Sequence, residues 1–285
     1  MKTQNVFKKY QISGKAPIIN LAILFLFGIC IMLLLGFLYS SLITIIPIIY
    51  FNVFVLFGFS YIIAHICHYL NVTFKIRNKI ASMIITAILA LIATYFEWVF
   101  YLYIISSENI TPFNDASYIM DLLLDTGYVI DFIIDLNKVG AWEIGSVTYS
   151  GTTLWLFWLG EVILTLGISL KVYYGFDLKP FSEKDNQWYD ISKINTDFEF
   201  IHIKKNFLED FYKNPVEALN SLKKGNGTRQ SNVYIFSSKS QNTFLISIEN
   251  SVVNNKGRKE SFEVLEPCFL DRTHLREIKE NYKVA

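Results

Sequence analysis

The sequence has few cysteines and few charges, and both shortages narrow what the protein can be. Only three of its 285 residues are cysteine (Cys30, Cys67 and Cys268), and no C-x-x-C pair occurs. A disulfide scaffold or a zinc knuckle needs more cysteines at closer spacing. Charged residues make up only 18% of the chain. Because no basic segment is concentrated enough, wholesale binding to nucleic acid is not indicated.

Motifs for catalysis and phosphate binding are also missing. The chain contains no G-x-S-x-G and no H-E-x-x-H sequence. The loop KKGNGTR offers Lys223, Lys224 and Arg229 to an anion, but it matches neither G-x-x-x-x-G-K-[ST] nor G-x-G-x-x-G. A solvated turn is the favoured interpretation of this loop. We predict no catalytic residue and no cofactor, and we favour a protein that is not an enzyme.

Apolar residues, by contrast, are abundant and unevenly placed. They make up 52% of the chain and are concentrated before Tyr174. About 20 apolar residues are needed to cross the hydrocarbon core of a bilayer as a helix. Four windows meet this length, at residues 18–40, 43–69, 80–105 and 153–173. We therefore predict a membrane α-helical fold, a four-span bundle over residues 1–173, followed by a small cytoplasmic α+β domain over residues 174–285.

The charges beside these windows predict their orientation, because Lys and Arg stay preferentially in the cytoplasm. The predicted cytoplasmic flanks carry Lys2, Lys8, Lys9, Lys15, Lys75, Arg77, Lys79 and Lys171. The segment between the third and fourth spans carries one lysine, Lys138, and the carboxylates Glu108, Asp115, Asp121, Asp125, Asp131, Asp135 and Glu143. We expect this segment outside and both termini in the cytoplasm.

Residues 116–138, within that outer segment, are too acidic for a fifth span and too apolar for a solvated loop. On one helix, Asp121, Asp125, Asp131 and Asp135 share an arc of about 120°. We predict an amphipathic helix, or two short ones broken at Gly127, lying in the outer interface or covering the bundle. The acidic stripe either solvates this helix or, as a functional alternative, concentrates cations or a basic partner at an entrance.

Two carboxylates lie inside the predicted spans. Glu161 is near the middle of span four and Glu97 is in the outer half of span three. A charged residue at such a depth costs about 2.5 to 3.5 kcal/mol on insertion scales, so both should face the bundle interior or water. Asn52, Glu97 and Glu161 are each about nine residues from an outer end and can form one polar cluster. Such a cluster either joins helices by hydrogen bonds or binds a proton or cation.

His65 and His68 are three residues apart at the inner end of span two and share a helix face. Two histidines can begin a metal site, but the sequence shows no third or fourth ligand beside them. Packing at the level of the lipid headgroups is the favoured interpretation.

The C-terminal part reads as an antiparallel sheet packed by two or three helices. The predicted strands are TDFEFIHIKK, NVYIFSS, TFLISIENSVV and ESFEVLEPCFL. NNKG is a predicted turn, and DRTHLREIKENY is a predicted closing helix. NPVEALNSLKK has an asparagine cap, proline at the first helical position and glutamate at the third, which predicts a helix start.

The sequence WLFWLGEVILTLGISL followed by KPFSEKDNQWYD resembles a family of uncharacterised four-span bacterial inner-membrane proteins. In that family a span with a central Trp and Glu precedes a P-F-C-E-x-C-x-x-W element. Pro180, Phe181, Glu183 and Trp188 match it, whereas Ser182 and Asp185 stand where the pattern has cysteine. The resemblance implies bacterial origin, the inner membrane and the four-span order. With the cysteines replaced, it implies no metal or redox role here.

Three functions are compatible with this pattern. The first is a non-enzymatic membrane protein whose cytoplasmic domain binds a partner or signal, in a setting such as toxin immunity or phage defence. The second is an oligomeric pore or ion-coupled transporter that uses Glu97 and Glu161, since four spans rarely enclose a path alone. The third, a membrane enzyme at the inner face, has the least support. The expected partners are lipid and a protein, either another protein or further copies of this chain.

Overall fold

The chain divides into two compact units. The computed structural model describes residues 7–46, 49–107, 116–144, 147–254 and 257–282. A helical unit spans Gly14–Leu178, and a sheet unit combines Met1–Ser13 with Lys179–Ala285. This division differs from the predicted one, which assigned the residues before Gly14 to the helical part. The reason is that this N-terminal segment pairs with a C-terminal strand, as described below.

The helical unit is built from four long helices and a smaller group of elements inserted before the last of them. In chain order these are α1 (Ile18–Ile45), α2 (Ile49–Thr73), α3 (Lys79–Ser107), α4 (Ala116–Leu124), α5 (Thr126–Val139), β1 (Trp142–Ile144), β2 (Val147–Tyr149) and α6 (Gly151–Tyr174). Within the described residues, α1, α2, α3 and α6 are the four helices long and apolar enough to cross a membrane. The predicted number of spans is confirmed in this sense.

The boundary between the first two long helices differs from the predicted one. Helix α1 continues to Ile45 and α2 begins at Ile49, whereas residues 40 and 43 were expected. Ile46 has an extended backbone, as expected for a residue that precedes a proline, here Pro47. Residues 47 and 48 themselves lie outside the described part of the chain. Asn52 consequently lies in the first turn of α2, nearer the helix end than predicted.

Contacts between side chains give the direction of each long helix. Gly28 faces Leu89 and Gly36 faces Phe96, so α1 and α3 run in the same direction. The Ser169 hydroxyl bonds to the Ser60 carbonyl, while Tyr173, further along α6, is near Cys67, further along α2. Helices α2 and α6 are therefore parallel to each other. Since Asn20 of α1 bonds to the Phe74 carbonyl just after α2, α1 and α2 are antiparallel.

The two ends of this bundle carry different charges. At one end, the Arg77 amide donates to the Lys15 carbonyl, and Lys79 Nζ donates to the Tyr174 carbonyl at 2.9 Å. We call this end, with Lys15, Lys75, Arg77, Lys79 and Lys171, the basic end. The opposite end, where α1 and α3 finish and α4 and α5 pack, is called the acidic end.

The predicted amphipathic segment, residues 116–138, forms two short helices, α4 and α5, which is one of the two predicted arrangements. The break falls at Asp125 instead of Gly127, because the Asp125 carboxylate accepts the Tyr128 amide and caps α5. Ile119, Leu122 and Val129 are buried in the core of the helical unit. The two helices thus pack on the bundle with one apolar face each.

The sheet unit has an antiparallel sheet as its centre, and the prediction of such a sheet is confirmed. Its elements are β3 (Phe181–Ser182), β4 (Gln187–Trp188), β5 (Asp190–Lys193), β6 (Phe198–Glu199), α7 (Lys204–Lys213), α8 (Pro215–Asn220), β7 (Arg229–Ser237), β8 (Phe244–Val253), β9 (Lys259–Leu270) and α9 (Arg272–Asn281). The strand order is β5-β7-β8-β9, and β6 also pairs with β7. Strands β3 and β4 form a separate hairpin.

Three helices cover one face of this sheet, within the expected number. Phe211 of α7, Leu219 of α8 and Ile278 of α9 share one buried core with Val233 and Ile246 of the sheet. Helix α8 begins where the sequence predicted, and the Asn214 side chain caps it by accepting the amides of residues 216 and 217.

The predicted strand TDFEFIHIKK is largely wrong. Only Phe198–Glu199 is a strand, and helix α7 already begins at Lys204. The Ile201 amide bonds to the side chains of Ser231 and Asn250 instead of a neighbouring strand. Side chains therefore provide the hydrogen-bond acceptors for this part of the backbone, and the pairing between strands ends here.

The N-terminal segment adds to the free edge of β9, which the sequence did not indicate. The Phe7 amide donates to the Phe269 carbonyl, the Phe269 amide donates to the Lys8 carbonyl, and the Tyr10 amide donates to the Pro267 carbonyl. Lys9 forms an ion pair with Glu266. The segment shields a strand edge that is otherwise open to pairing with other chains.

Candidate functional site

The helical unit brings two carboxyl groups together, the buried Glu97 of α3 and the half-buried Glu161 of α6. Their side chains are close enough to interact directly, and the Tyr39 hydroxyl of α1 donates to Glu161 Oε1. Glu97 is only 4% exposed. A hydrogen bond between two carboxyl groups requires a proton on at least one of them. We call Glu97 and Glu161 the carboxyl pair; a hydrogen bond within it would hold one proton between two acids.

Close packing of α1 against α3 positions this pair. A Cβ atom on Gly36 would lie 2.9 Å from the Glu97 amide nitrogen, so only glycine permits this approach. One turn later, the Ser40 hydroxyl donates to the Gly36 carbonyl at 2.9 Å and to the Glu97 carbonyl at 2.6 Å. The backbone that carries Glu97 is therefore held to α1 on both sides of the residue.

Tryptophan side chains cover the pair toward the acidic end. Trp98 follows Glu97 in α3, and Trp158 lies nearly one turn before Glu161 in α6. Their rings meet edge to face with centroids 5.0 Å apart, and Trp155 packs on Trp158 with centroids at 5.3 Å. Trp158 and Leu154 are both buried. The buried face of α6 between Glu161 and that end of the bundle is therefore formed by Leu154 and Trp158.

Asn52, the third member of the predicted cluster, lies level with Glu161 but, among the described residues, is not hydrogen-bonded to either glutamate. The contact of Ser60 with Ser169 sets the register of α2 and α6, and the same offset puts Asn52 level with Glu161. Within the described residues, Asn52 Oδ1 is buried and has no hydrogen-bond partner. The same is true of Glu97 Oε2 and Thr165 Oγ1.

Hydroxyl groups follow Glu161 toward the basic end, a feature that the sequence prediction missed. Thr165, Ser169 and Tyr173 are all buried and recur every four residues on α6. Ser169 donates to the Ser60 carbonyl at 2.9 Å, and the Tyr173 side chain is near that of Ser82. The four-residue spacing is visible in the sequence and places these residues on the face of Glu161.

The two histidines pack around one aromatic ring. His68 stacks on Phe176 with centroids 4.2 Å apart, and His65 meets the same ring edge to face at 4.8 Å. Among the described residues, no group of three or more His, Cys, Asp or Glu side chains is arranged to hold a metal ion. Both rings contact Phe176, and a packing role for the two histidines at the level of the lipid headgroups stays a prediction.

The predicted acidic stripe is exposed but does not lie on one helix. Asp121 precedes the break between α4 and α5, Asp125 caps α5, and Asp131 and Asp135 lie within α5. Asp135 also pairs with Lys138 at 2.8 Å. Glu108, Asp115 and the side chain of Glu143 lie outside the described part of the chain. The stripe is thus divided between two helices, and two of its four carboxylates have local partners.

The loop of Lys223, Lys224 and Arg229 uses its own amides internally. The Lys223 amide donates to Glu199, the Gly225 amide donates to the Asp197 carbonyl, and the Arg229 amide donates to Asn226 Oδ1. The Arg229 guanidinium lies 4.6 Å above the Phe200 ring centre. These amides are already occupied, which supports the interpretation of a turn over that of an anion site.

The sheet unit offers no activated nucleophile at its one Asp–His pair. His274 Nδ1 lies 2.6 Å from Asp271 Oδ2, and Cys268 is six residues away in the sequence. Burial raises the pKa of the Cys268 thiol to about 12, and the thiol contacts the Ile246 carbonyl. The thiol therefore stays protonated near neutral pH and is a poor nucleophile.

The segment with the family-like pattern forms the β3–β4 hairpin. Phe181 packs edge to face on Trp188 with centroids 5.0 Å apart. In the turn, the Asp185 carboxylate accepts the Ser240 hydroxyl at 2.9 Å, and the Asp185 amide donates to the Ser182 hydroxyl. Ser182 and Asp185, which replace the two cysteines of the pattern, are thus joined by hydrogen bonds.

No family model, no curated protein and no solved structure matches this chain. The resemblance to four-span bacterial inner-membrane proteins stays a prediction that depends on the residues quoted above.

Proposed function

We propose that this protein is a multi-pass membrane protein whose helical unit binds and releases a proton at the carboxyl pair, as an ion-coupled transporter or a pore does. The proximity of Glu97 and Glu161 inside the helix bundle, with the Tyr39 hydroxyl donating to Glu161, carries this proposal. The Tyr39 hydroxyl that donates to Glu161 stabilises the pair when its proton leaves.

A purely adhesive role explains the pair less well. Hydrogen bonds from serine hydroxyls to backbone carbonyls already join these helices, from Ser40 to Glu97 and from Ser169 to Ser60. Hydroxyl groups join membrane helices without the cost of a carboxyl group, which is about 2.5 to 3.5 kcal/mol when charged. Two carboxyl groups in contact are more than adhesion requires, and they suit a site that must gain and lose charge.

Proton loss gives this site a way to drive a conformational change. With one proton, the two carboxyl groups attract each other through their hydrogen bond. Without it, two negative charges face each other in an apolar bundle and repel. Helices α3 and α6, which carry Glu97 and Glu161, would then favour a greater separation. Protonation is thereby linked to the packing of the bundle, as ion coupling requires.

For orientation, we propose that the basic end and the sheet unit face the cytoplasm of a bacterium, with the protein in its inner membrane. The lysines and Arg77 of the basic end support this orientation through their preference for the cytoplasmic side. The pairing of the N-terminal segment with β9 supports an even number of crossings, since both ends of the chain then share one compartment. In this orientation α4 and α5 lie at the outer surface.

We also propose that the chain assembles with copies of itself. The outer surfaces of the long helices expose large apolar side chains such as Leu26, Phe54 and Ile163, which suit contact with lipid or with a second copy. Four spans rarely enclose a path alone. A homo-oligomer therefore fits a transporter or pore better than a monomer does.

A second proposal concerns the sheet unit as a domain that binds a partner protein or a signal, as in immunity or defence systems. It has its own buried core, and the chain joins it to both α1 and α6, the helices that carry Tyr39 and Glu161. Crosslinking of the intact protein in cell membranes should link partner peptides to lysines of residues 179–285. Recovery of this chain's own peptides alone would contradict a separate partner.

The proton site is tested by flux into proteoliposomes. Purified wild-type protein, Glu161→Gln and the control Glu209→Gln are reconstituted with a pH-sensitive dye inside, and a pH gradient is applied at several cation compositions. Glu209 is an exposed glutamate of α7. We expect proton flux in the wild type and the control and its loss in Glu161→Gln. Equal flux in all three proteins, or none in the wild type at any pH, would contradict the proposal.

A further inference from the structure

The buried face of α6 changes its chemistry at Glu161. Toward the acidic end, the buried residues are Leu154 and Trp158, whereas toward the basic end they are Thr165, Ser169 and Tyr173. We call these last three the hydroxyl stripe. At 1.5 Å per residue, the stripe reaches about 18 Å from Glu161 to Tyr173, more than half the thickness of a hydrocarbon core.

Polar groups of α2 and α3 accompany this stripe. Ser169 donates to the Ser60 carbonyl, and Ser82, whose side chain is near Tyr173, donates to Asn71 Oδ1 at 2.7 Å. Ser60, Asn71 and Ser82 are each fully buried. The stripe therefore belongs to a polar seam between three helices and does not face the outside of the bundle.

The end of the stripe lies next to an ionisable side chain. The His68 ring centroid is 6.3 Å from that of Tyr173, and His68 is partly exposed. An imidazole exchanges protons with water at neutral pH more readily than a tyrosine hydroxyl does. A proton from solvent therefore has an acceptor at the point where the stripe begins.

Two unpaired polar atoms lie between the ends of the seam. Thr165 is 1% exposed, and its Oγ1 has no hydrogen-bond partner among the described residues; Glu97 Oε2 shares this property. A buried polar atom without a partner is costly and calls for a bridging group. Residues four apart on a helix are about 6 Å apart, which two hydrogen bonds through one water span. Thr165 is so placed with respect to both Glu161 and Ser169.

We infer that the proton reaches the carboxyl pair from the basic end of the bundle, along Tyr173, Ser169 and Thr165. This inference rests on the proposed function. Each hydroxyl or bridging water accepts a proton on its oxygen and releases its own proton to the next oxygen. One O–H bond forms and one breaks at every step, so the sum is the transfer of one proton from water to a carboxylate. Toward the acidic end, the buried residues of α6 are Leu154 and Trp158, which provide no such series of hydroxyl groups.

Infrared spectroscopy of the full-length protein in lipid tests two things separately: whether the carboxyl pair binds a proton, and whether that proton arrives along the hydroxyl stripe. A protonated carboxyl group in the pair gives a C=O stretching band that Glu161→Gln should remove, and transfer into D2O shifts the band as the proton is replaced. We expect Thr165→Val to slow this shift roughly tenfold or more, since it removes one link of the relay. Thr165→Ser keeps the hydroxyl and should restore the wild-type rate. Trp158→Phe, on the apolar side, should leave the rate unchanged.

Each result has a distinct meaning. If the wild type has no band that Glu161→Gln removes, the proton site is contradicted and the path with it. If that band is present but exchanges in Thr165→Val as in the wild type, the site stands and the path is overturned. Faster exchange in Trp158→Phe would place the entry at the acidic end. Thermal unfolding of each variant shows whether Thr165→Val and Thr165→Ser fold equally well, so that a difference in exchange reports the hydroxyl.

Discussion

Replacing Gly36 by alanine tests the contact that positions the carboxyl pair. The added Cβ would lie 2.8 Å from Phe96 Cβ and 2.9 Å from both Phe96 C and Glu97 N. Two of these three atoms belong to the backbone of α3 and cannot rotate away. An ordinary carbon contact of about 3.5 Å needs the helices to separate by roughly 0.7 Å. Such overpacking costs about 1 to 3 kcal/mol, and it also stretches the Ser40 hydrogen bond to the Glu97 carbonyl.

Other glycines of the long helices provide matched controls. A Cβ on Gly28 would meet only side-chain atoms of Leu89, which can move, so Gly28→Ala should cost less than Gly36→Ala. A Cβ on Gly58 or Gly167 would meet nothing within 4 Å. Those two substitutions should be neutral or stabilising by up to about 1 kcal/mol, because alanine favours a helix over glycine.

The assay is unfolding of the purified full-length variants in mixed micelles by increasing amounts of a denaturing detergent, followed by tryptophan fluorescence. The expected order of stability is Gly58→Ala above Gly28→Ala above Gly36→Ala. If Gly36→Ala proves as stable as Gly58→Ala, the two helices do not approach as described, and the positioning of Glu97 by α1 is refuted.

Three further outcomes are expected. Tyr39→Phe removes the donor to Glu161 and should lower bundle stability by about 0.5 to 2 kcal/mol; a similar loss in a Glu161→Gln background would show that the two residues are not coupled. The Ser240 hydroxyl lowers the pKa of Asp185, so the stability that this carboxylate adds is present above its unfolded-state pKa of about 3.9 and lost as pH falls through the lower folded-state pKa. As pH falls through this range, the wild-type sheet unit should therefore lose more stability than Asp185→Asn, which lacks the carboxylate and is already less stable at neutral pH. Unfolding followed by fluorescence measures this loss, and identical pH dependence in both proteins would contradict the prediction. Phe7→Ala removes ring contacts with Phe211 and His274 and should destabilise the sheet unit by about 1 to 3 kcal/mol, whereas the exposed Lys8→Ala should change it little.

Much of the architecture follows from local sequence. The four long helices were predictable because each is an apolar window of sufficient length, and α8 because Asn214 and Pro215 define a helix start. The proximity of Glu97 and Glu161 could be anticipated from their similar distance to the ends of their helices. That estimate uses only the rise per residue, and so it succeeds wherever helices stay straight and adjacent.

Features that depend on distant parts of the chain were not predictable. The pairing of Phe7 and Tyr10 with β9 joins segments at opposite ends of the sequence, and no local pattern marks it. The start of α2 was placed too early, at residue 43 instead of Ile49, because the extended residue before Pro47 delays it. Asn52 is therefore nearer the end of its helix than predicted, although it is level with Glu161. Tyr39 has an aromatic ring that reads as apolar, and only tertiary packing brings its hydroxyl to a carboxyl group.

The pairing of the N-terminal segment with β9 also has a consequence for biosynthesis. Roughly 250 residues separate the two strands, so at about 5 to 20 residues per second the first waits roughly 12 to 50 s for the second to be made. In the proposed membrane orientation, the side on which the N-terminal segment stays is therefore set before β9 exists to pair with it. An N-terminal segment on the other side of a bilayer could not reach β9, whose edge would then stay open to pairing with other chains.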